Sequence, residues 1–324
     1  MTILFAGGEM CALDPSGAVS ESTGGTRYNT TFARCAILTD GTILAPDSRW
    51  AQTTVWTEAT GDFYLHFEAE TGVVGVVTHT MLELLDASGT ARFRIRQTNV
   101  AANIGTLQMQ YLSGSWQNAG STVNVESDIR YEYDLFVNRA TGVMKLFVSG
   151  TEQASASGLA LSGITGVAQA YLYSDATGRY WSQIIAADVP TIGWRLATYY
   201  PTGNSATNTA WTNGYTAVDE IDYDDADVVY TANAGDVETF TSTGPDLTNY
   251  TIIAVGVAAR ARRGASGPQN LQLALRASGT NYFSATQALD TGFAAKVAIW
   301  ETNPNTGVAW TGVSGLEHGV KAIA

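Results

Sequence analysis

The chain has 324 residues, 45% of them hydrophobic and 15% charged, and Lys+Arg 17 against Asp+Glu 30 leaves a formal net charge of -13. A field of that sign repels nucleic-acid phosphates and anionic lipid, so neither is an expected partner. Apolar runs such as Ile252–Ala259 are far too short for membrane insertion, and the opening MTILFAGGEM lacks the basic n-region and long h-region of a secretory signal.

In chain order, the first element is Ile3-Leu4-Phe5-Ala6, a short apolar strand running into Gly7-Gly8. Cys11 and Cys35 show no metal-ligand spacing. Bridged, they would close a loop of about 25 residues and add roughly 3 kcal/mol; in a reducing cytoplasm they stay as two buried thiols. Period-2 alternation then dominates, first in Tyr64–Glu70 and most cleanly in Arg92-Phe93-Arg94-Ile95-Arg96. There the three arginines point one way and Phe93 and Ile95 the other. Thr80–Ala87 is the nearest approach to a helical window, and it is short and flanked by β-type residues. Tyr131–Val137, Met144–Val148 and Leu271–Arg276 repeat the alternation. Ala87-Ser88-Gly89, Asn138–Gly142, Ser149-Gly150 and Asn303–Gly307 carry turn chemistry between strands.

Many short strands separated by Gly, Asn, Asp and Ser turns predict an all-β chain of two β-sandwich, jelly-roll-like domains in tandem. Ala187-Asp188-Val189-Pro190-Thr191 marks the division, because proline ends ladder pairing and the texture turns to Tyr, Trp, Asn and Thr from Tyr199 onward. The expected domains are 1–189 and 190–324, both net acidic.

Within residues 61–186, Tyr131–Val137, the Asn138–Gly142 turn, Val143–Val148 and Ser149-Gly150 form a strand–turn–strand–glycine pattern. It resembles concanavalin A-like and laminin-G-like jelly rolls. The later segments Val218-Asp219-Glu220, Ile252–Val257, Arg260–Arg263 and Asn303–Gly307 with Ala309-Trp310-Thr311, together with the opening strand and glycine pair, resemble structural proteins of tailed-bacteriophage virions. That resemblance implies a capsid decoration, spike or tail component, made in the host cytoplasm and assembled with other virion proteins and with copies of itself. It also implies lectin-like domains able to contact host-surface glycans. The alternative from the same residues is a carbohydrate-binding module or adhesin with no scaffolding role.

Catalysis is not expected. The chain has His66, His79 and His318 but no GxSxG, HExxH or Walker loop. His66 reads as a packed or surface strand histidine, and His79 as a residue able to face solvent at a strand end. Glu68/Glu70 and Glu132/Asp134 have the strand i, i+2 spacing that puts two carboxylates about 6.5–7 Å apart on one face. A glycosidase could use such a pair, but the wet face of an antiparallel sheet accounts for both equally well.

The run Asp219-Glu220-Ile221-Asp222-Tyr223-Asp224-Asp225-Ala226-Asp227 reads as a solvated edge loop that discourages strand aggregation. Its other reading is a Ca²⁺ site with Asp222, Asp224, Asp225 and Asp227 as ligands, although the EF-hand glycine and glutamate are missing. No other cofactor is expected. Arg260, Arg262 and Arg263 form a positive island, read as a hairpin tip, a subunit contact or an anionic-glycan contact, with Arg276 able to join it. Trp50, Trp116, Tyr171, Tyr173, Tyr180, Trp181, Tyr199, Tyr200 and Trp211 are candidates for sugar-stacking platforms, with core or interface packing as the competing role.

Overall fold

Along Asp62–Glu70 the side chains of Phe63, Leu65 and Phe67 are completely buried, and their spacing of two turns one apolar edge of the strand inward. The same rule organises the rest of the chain. The computed structural model describes residues 1–7, 12–15, 19–22, 35–38, 50–58, 61–70, 78–101, 103–127, 129–174, 179–219 and 224–324. Within these the chain is all-β, and it divides between Leu196 and Ala197 into two compact units.

The first unit contains β1 (Ile3–Gly7), β2 (Leu13–Pro15), β3 (Val19–Ser22), β4 (Cys35–Leu38), β5 (Trp50–Thr53), β6 (Asp62–Glu70), β7 (Thr78–Leu85) and β8 (Ala91–Ala101). It continues with β9 (Ile104–Ser113), β10 (Ser115–Glu126), β11 (Arg130–Asn138), β12 (Val143–Val148), β13 (Thr151–Ala156), β14 (Gln169–Tyr173) and β15 (Arg179–Ala187). Among the described residues one sheet runs β13-β12-β11-β6-β15-β4-β3, with β1 also paired to β15, and the other runs β10-β9-β8-β7-β14-β5-β2. Phe67 is stacked on Tyr133 at 5.0 Å between ring centroids, with Trp181 5.4 Å away. From the other sheet come Leu82, Leu84, Phe93, Ile95, Leu107 and Met109, each essentially without exposure. Burying a side chain of this size is worth about 1.5–3 kcal/mol, so this core is what holds the unit together.

The turns follow the residues. Ser149 and Gly150 both have positive φ, 49° and 77°, the type I′ geometry that matches the twist of the β12–β13 hairpin. Gly142 has φ 65°, and a Cβ there would stand 2.3 Å from the Leu159 carbonyl oxygen, so only glycine fits. Thr80–Ala87, the nearest sequence approach to a helix, lies in β7 and the turn after it.

The second unit contains β16 (Tyr200–Thr209), β17 (Val237–Thr243), β18 (Val255–Ala261), β19 (Asn270–Ala277), β20 (Thr280–Phe283), β21 (Gln287–Ala288), β22 (Ala294–Trp300) and β23 (Glu317–Ile323). Its main sheet runs β16-β17-β23-β19-β20, with β21 beside β19, and β18 and β22 form a separate antiparallel ladder. Val257 of that ladder packs with Leu271, Leu273, Leu275, Trp310 and Val320 in one core, which joins the two layers. The Trp310 Nε1–H donates to the Trp300 carbonyl at 2.8 Å, so the buried indole is satisfied.

The stretch from Pro190 to Leu196, which the sequence pattern assigns to the second half, packs with the first unit. Thr191 Oγ1 donates to Asp134 at 2.7 Å, Arg195 pairs with Glu132, and the Leu196 N–H donates to Gln183 Oε1 at 3.1 Å.

Candidate functional site

The outward side of the β10-β9-β8-β7-β14-β5-β2 sheet carries a continuous register row. Asp14 faces Gln52, Gln52 faces Tyr171, Tyr171 faces Glu83, Glu83 faces Arg94, Arg94 faces Gln110, and Gln110 faces Asn118. At about 4.8 Å per strand the row crosses roughly 29 Å. Alternation creates it, because Phe93 and Ile95 must turn inward and therefore send Arg92, Arg94 and Arg96 out.

The row is tied laterally. Arg94 Nε donates to Gln110 Oε1 at 2.6 Å, and the Gln110 amide donates to Asn118 Oδ1 at 2.7 Å. Tyr173 Oη donates to Glu83 Oε2 at 2.7 Å. Aromatic rings flank it: Trp50 is stacked on Tyr171 at 4.7 Å, Tyr173 lies 6.5 Å from Tyr171, and the Arg94 guanidinium sits 3.9 Å from the Trp116 ring centroid. Half-buried rings packed on one another and under a guanidinium, beside amides and carboxylates held in place, form a surface able to stack a sugar ring on the faces left open and to hydrogen-bond its hydroxyls.

Four of the nine aromatic candidates, Trp50, Trp116, Tyr171 and Tyr173, therefore meet on one face. The others are elsewhere. Trp181 is fully buried in the core, and Tyr180 lies on the other sheet opposite Glu70. Tyr199 donates to the Pro245 carbonyl, Tyr200 is exposed, and Trp211 packs against the core of the second unit. The in-register polar residues Gln52, Glu83, Gln110 and Asn118 carry no motif. Only strand pairing brings them into line.

The carboxylate pairs behave differently from a wet sheet face. Glu68, Glu70 and Asp134 are buried, and the segment from Thr191 to Arg195 reaches this side of the sheet at Asp134 and Glu132. Register places Glu68 opposite Glu132 and His66 opposite Asp134. His66 is a packed histidine, with Nδ1 3.0 Å from Asp134 Oδ1. Burial pushes the Glu68 carboxyl up, with Arg130 opposing and Glu132 reinforcing the shift. The cleft lined by Glu68, Glu70, Arg130, Tyr180 and Ser182 has a volume of about 10 Å³, enough for one water. His79 does not face solvent: it is buried, with Nε2 2.8 Å from the Arg179 guanidinium.

In the acidic run, Asp222 lies outside the described residues. Asp224 accepts the Ala226 N–H at 2.8 Å in a local turn, and Asp225 takes a forked pair of hydrogen bonds from Arg260 at 2.9 and 3.1 Å. Asp227 is exposed. Among the described residues no three His, Cys, Asp or Glu side chains gather as a metal cluster. Arg260 lies within β18 and Arg262 just beyond it, 4.8 Å over the Phe293 ring; Arg263 bonds Gln269, and Arg276 pairs with Glu317. Cys11 lies outside the described residues.

No protein-family model and no curated protein matches this chain. Among solved structures it is similar to domain 4 of AbnA, a GH43 extracellular arabinanase from Geobacillus stearothermophilus, in complex with arabinotriose, with TM-score 0.37 and 12% identity over 56% of this chain and 80% of that one. It is similar to the native heptameric SAP-like pentraxin of Limulus polyphemus, with TM-score 0.33 and 12% identity over 52% of this chain and 76% of that one. It is also similar to the CBM2 module of the evolved Dit of Lactobacillus casei BL23 phage J-1, with TM-score 0.33 and 9% identity over 43% and 68% of the two chains.

Proposed function

We propose that the chain is a non-catalytic β-sandwich protein of a tailed-phage virion that holds glycans on the outer face of its seven-stranded sheet. The observation that carries the binding role is the tied row from Gln52 to Asn118 with Trp50, Tyr171, Tyr173 and Trp116 beside it. Stacking and a few hydrogen bonds give weak affinity per site, and many copies in one particle would raise it by multivalency. A binding role without chemistry is supported by the burial of Glu68, Glu70 and Asp134. The virion role is supported by the sequence resemblance, and partners there are other virion proteins and copies of this chain.

A glycan array probed with the whole protein, with and without calcium, tests the binding role. Binding that W50A and W116A each weaken is the expected result, and an array with no signal in either condition rejects it. A requirement for calcium would return attention to Asp222, Asp224, Asp225 and Asp227. Mass spectrometry of purified particles tests the virion role, and absence of the chain rejects it. The alternative, a carbohydrate-binding module acting alone, is favoured by the fact that the face is complete within the first unit. Glycan binding by a chain absent from particles selects it.

A further inference from the structure

We propose that this chain pairs with a second copy of itself along β10, with Ser115–Ala119 of the two copies antiparallel about a two-fold axis at Gln117. The inference names the contact for the self-association proposed above, and it does not depend on glycan binding. β10 ends the seven-stranded sheet, so among the described residues no strand lies along its outer edge. An edge strand points alternate N–H and C=O groups outward, where another extended strand can pair them as a ladder.

Proteins usually blunt such an edge with charge, proline, a very short strand or a bulge. Other edges of this fold show these devices. β2 has three residues and ends in Pro15, β16 carries Pro201 and two register shifts, and β13 carries Glu152 with Lys145 bound to it. β10 is 12 residues long, and from Ser113 to Val125 the sequence holds no charged residue and no proline.

The pairing stretch has a defined end. The β9–β10 register is regular from Ser115 to Ala119 and shifts before Val123. At Gly120 the strand closes on β13, where a Cβ would stand 2.7 Å from the Ser155 carbonyl oxygen. The Ala119 and Gly120 carbonyls both accept from the Gln108 amide at 3.2 Å. Ser115–Ala119 is therefore the regular part of the edge, and its centre is Gln117. With Gln117 opposite its own copy, Trp116 faces Asn118, Ser115 faces Ala119, and the whole stretch is paired. Any other antiparallel register leaves part of it unpaired or runs into the bulge. Directly opposite residues share a face, so the outer faces of both seven-stranded sheets lie on one side of the joined sheet.

Each copy carries a charge of -13, but at physiological salt such a field decays over about 8 Å, and the uncharged edge brings no like charges into contact. The contact is short beside a standard interface, so association is weak, with a Kd on the order of 10 μM.

Sedimentation equilibrium of the whole protein from about 1 to 300 μM tests the inference, and a monomer–dimer equilibrium is the expected result. Q117K sets two like charges directly opposite each other at the axis and should raise Kd at least about tenfold. Gln117 is exposed, so Tm should stay unchanged. Q117C, oxidised and digested, should yield a peptide bridged from position 117 to position 117 by mass spectrometry. A protein still monomeric at the highest concentration, a dimer that Q117K leaves intact, or a Q117C dimer without that bridge overturns the inference. Each of these outcomes leaves the glycan and virion roles to the array and the particle analysis.

Discussion

Arg94 lies against Trp116 with its guanidinium carbon 3.9 Å from the ring centroid, while its Nε is held by Gln110 at 2.6 Å. The two contacts fix the ring in place before any ligand arrives, which reduces the entropy lost on binding. Arg94 on β8 and Trp116 on β10 are separated by the whole of β9, so the pair also clamps three strands.

Trp116→Ala should lower glycan affinity about tenfold by removing a stacking surface, and lower stability by only about 0.5–1 kcal/mol, the worth of an exposed cation–π contact. Titration calorimetry against the best array ligand, with a denaturant melt beside it, separates the two. A fall in stability with unchanged affinity would remove Trp116 from the binding face.

Asp86 organises the turn between β7 and β8. Its Oδ1 accepts from the Ser88 N–H at 2.9 Å, the Ser88 hydroxyl at 2.6 Å and the Thr90 N–H at 3.1 Å, while Oδ2 takes Arg92. Burial works to raise the carboxyl, but these donors outweigh it and hold it at about 2. Because the folded value lies below the ordinary one, the contribution is fully present above about pH 4 and is lost as pH falls through about 2. Asp86→Ala should therefore cost about 2 kcal/mol at neutral pH, and the Tm gap to the parent protein should narrow on acidification.

Glu58 and Arg139 form an internal clamp. The Glu58 side chain is fully buried, it pairs with Arg139 Nη2 at 2.6 Å, and it accepts the N–H groups of Gly61 at 3.0 Å and Val167 at 2.7 Å. Glu58→Ala leaves the guanidinium with the Ile164 carbonyl but no counter-charge, and both amides unpaired, so a loss of about 3–5 kcal/mol in urea melts is expected. The double variant E58L/R139M should lose less than the single change, since it leaves no uncompensated charge.

His318 packs near Phe240, with centroids 6.4 Å apart, and burial holds its imidazole down to about 4. The folded state thus resists a proton that the unfolded chain accepts, and stability falls as pH drops from about 6.5 towards 4, by up to about 1.4 kcal/mol per pH unit. His318→Gln should flatten that part of the Tm profile. An unchanged slope would assign the acid sensitivity to other groups.

The sequence carries much of this fold in its local alternation. Arg92, Arg94 and Arg96 read as one outward edge and stand as one, and Ser149-Gly150 reads as a turn and is one. The same alternation sets Glu68 and Glu70 on one side of β6, yet it does not say whether that side is wet. Both are buried, and the contacts that Thr191 and Arg195 make on that face, to Asp134 and Glu132, span 57 and 63 residues of the chain.

What the sequence determines by itself is the side of the strand on which each residue lies, because side-chain direction follows from the period of the extended backbone. Tertiary structure decides which strands become neighbours. Trp50 meets Tyr171 because β5 pairs with β14, and Glu83 meets both Tyr171 and Arg94 because β7 lies between β14 and β8. Those neighbours are chosen by the shared core of Phe67, Phe93, Tyr133 and Trp181, whose burial depends on all the strands at once and leaves no mark on any local stretch of residues.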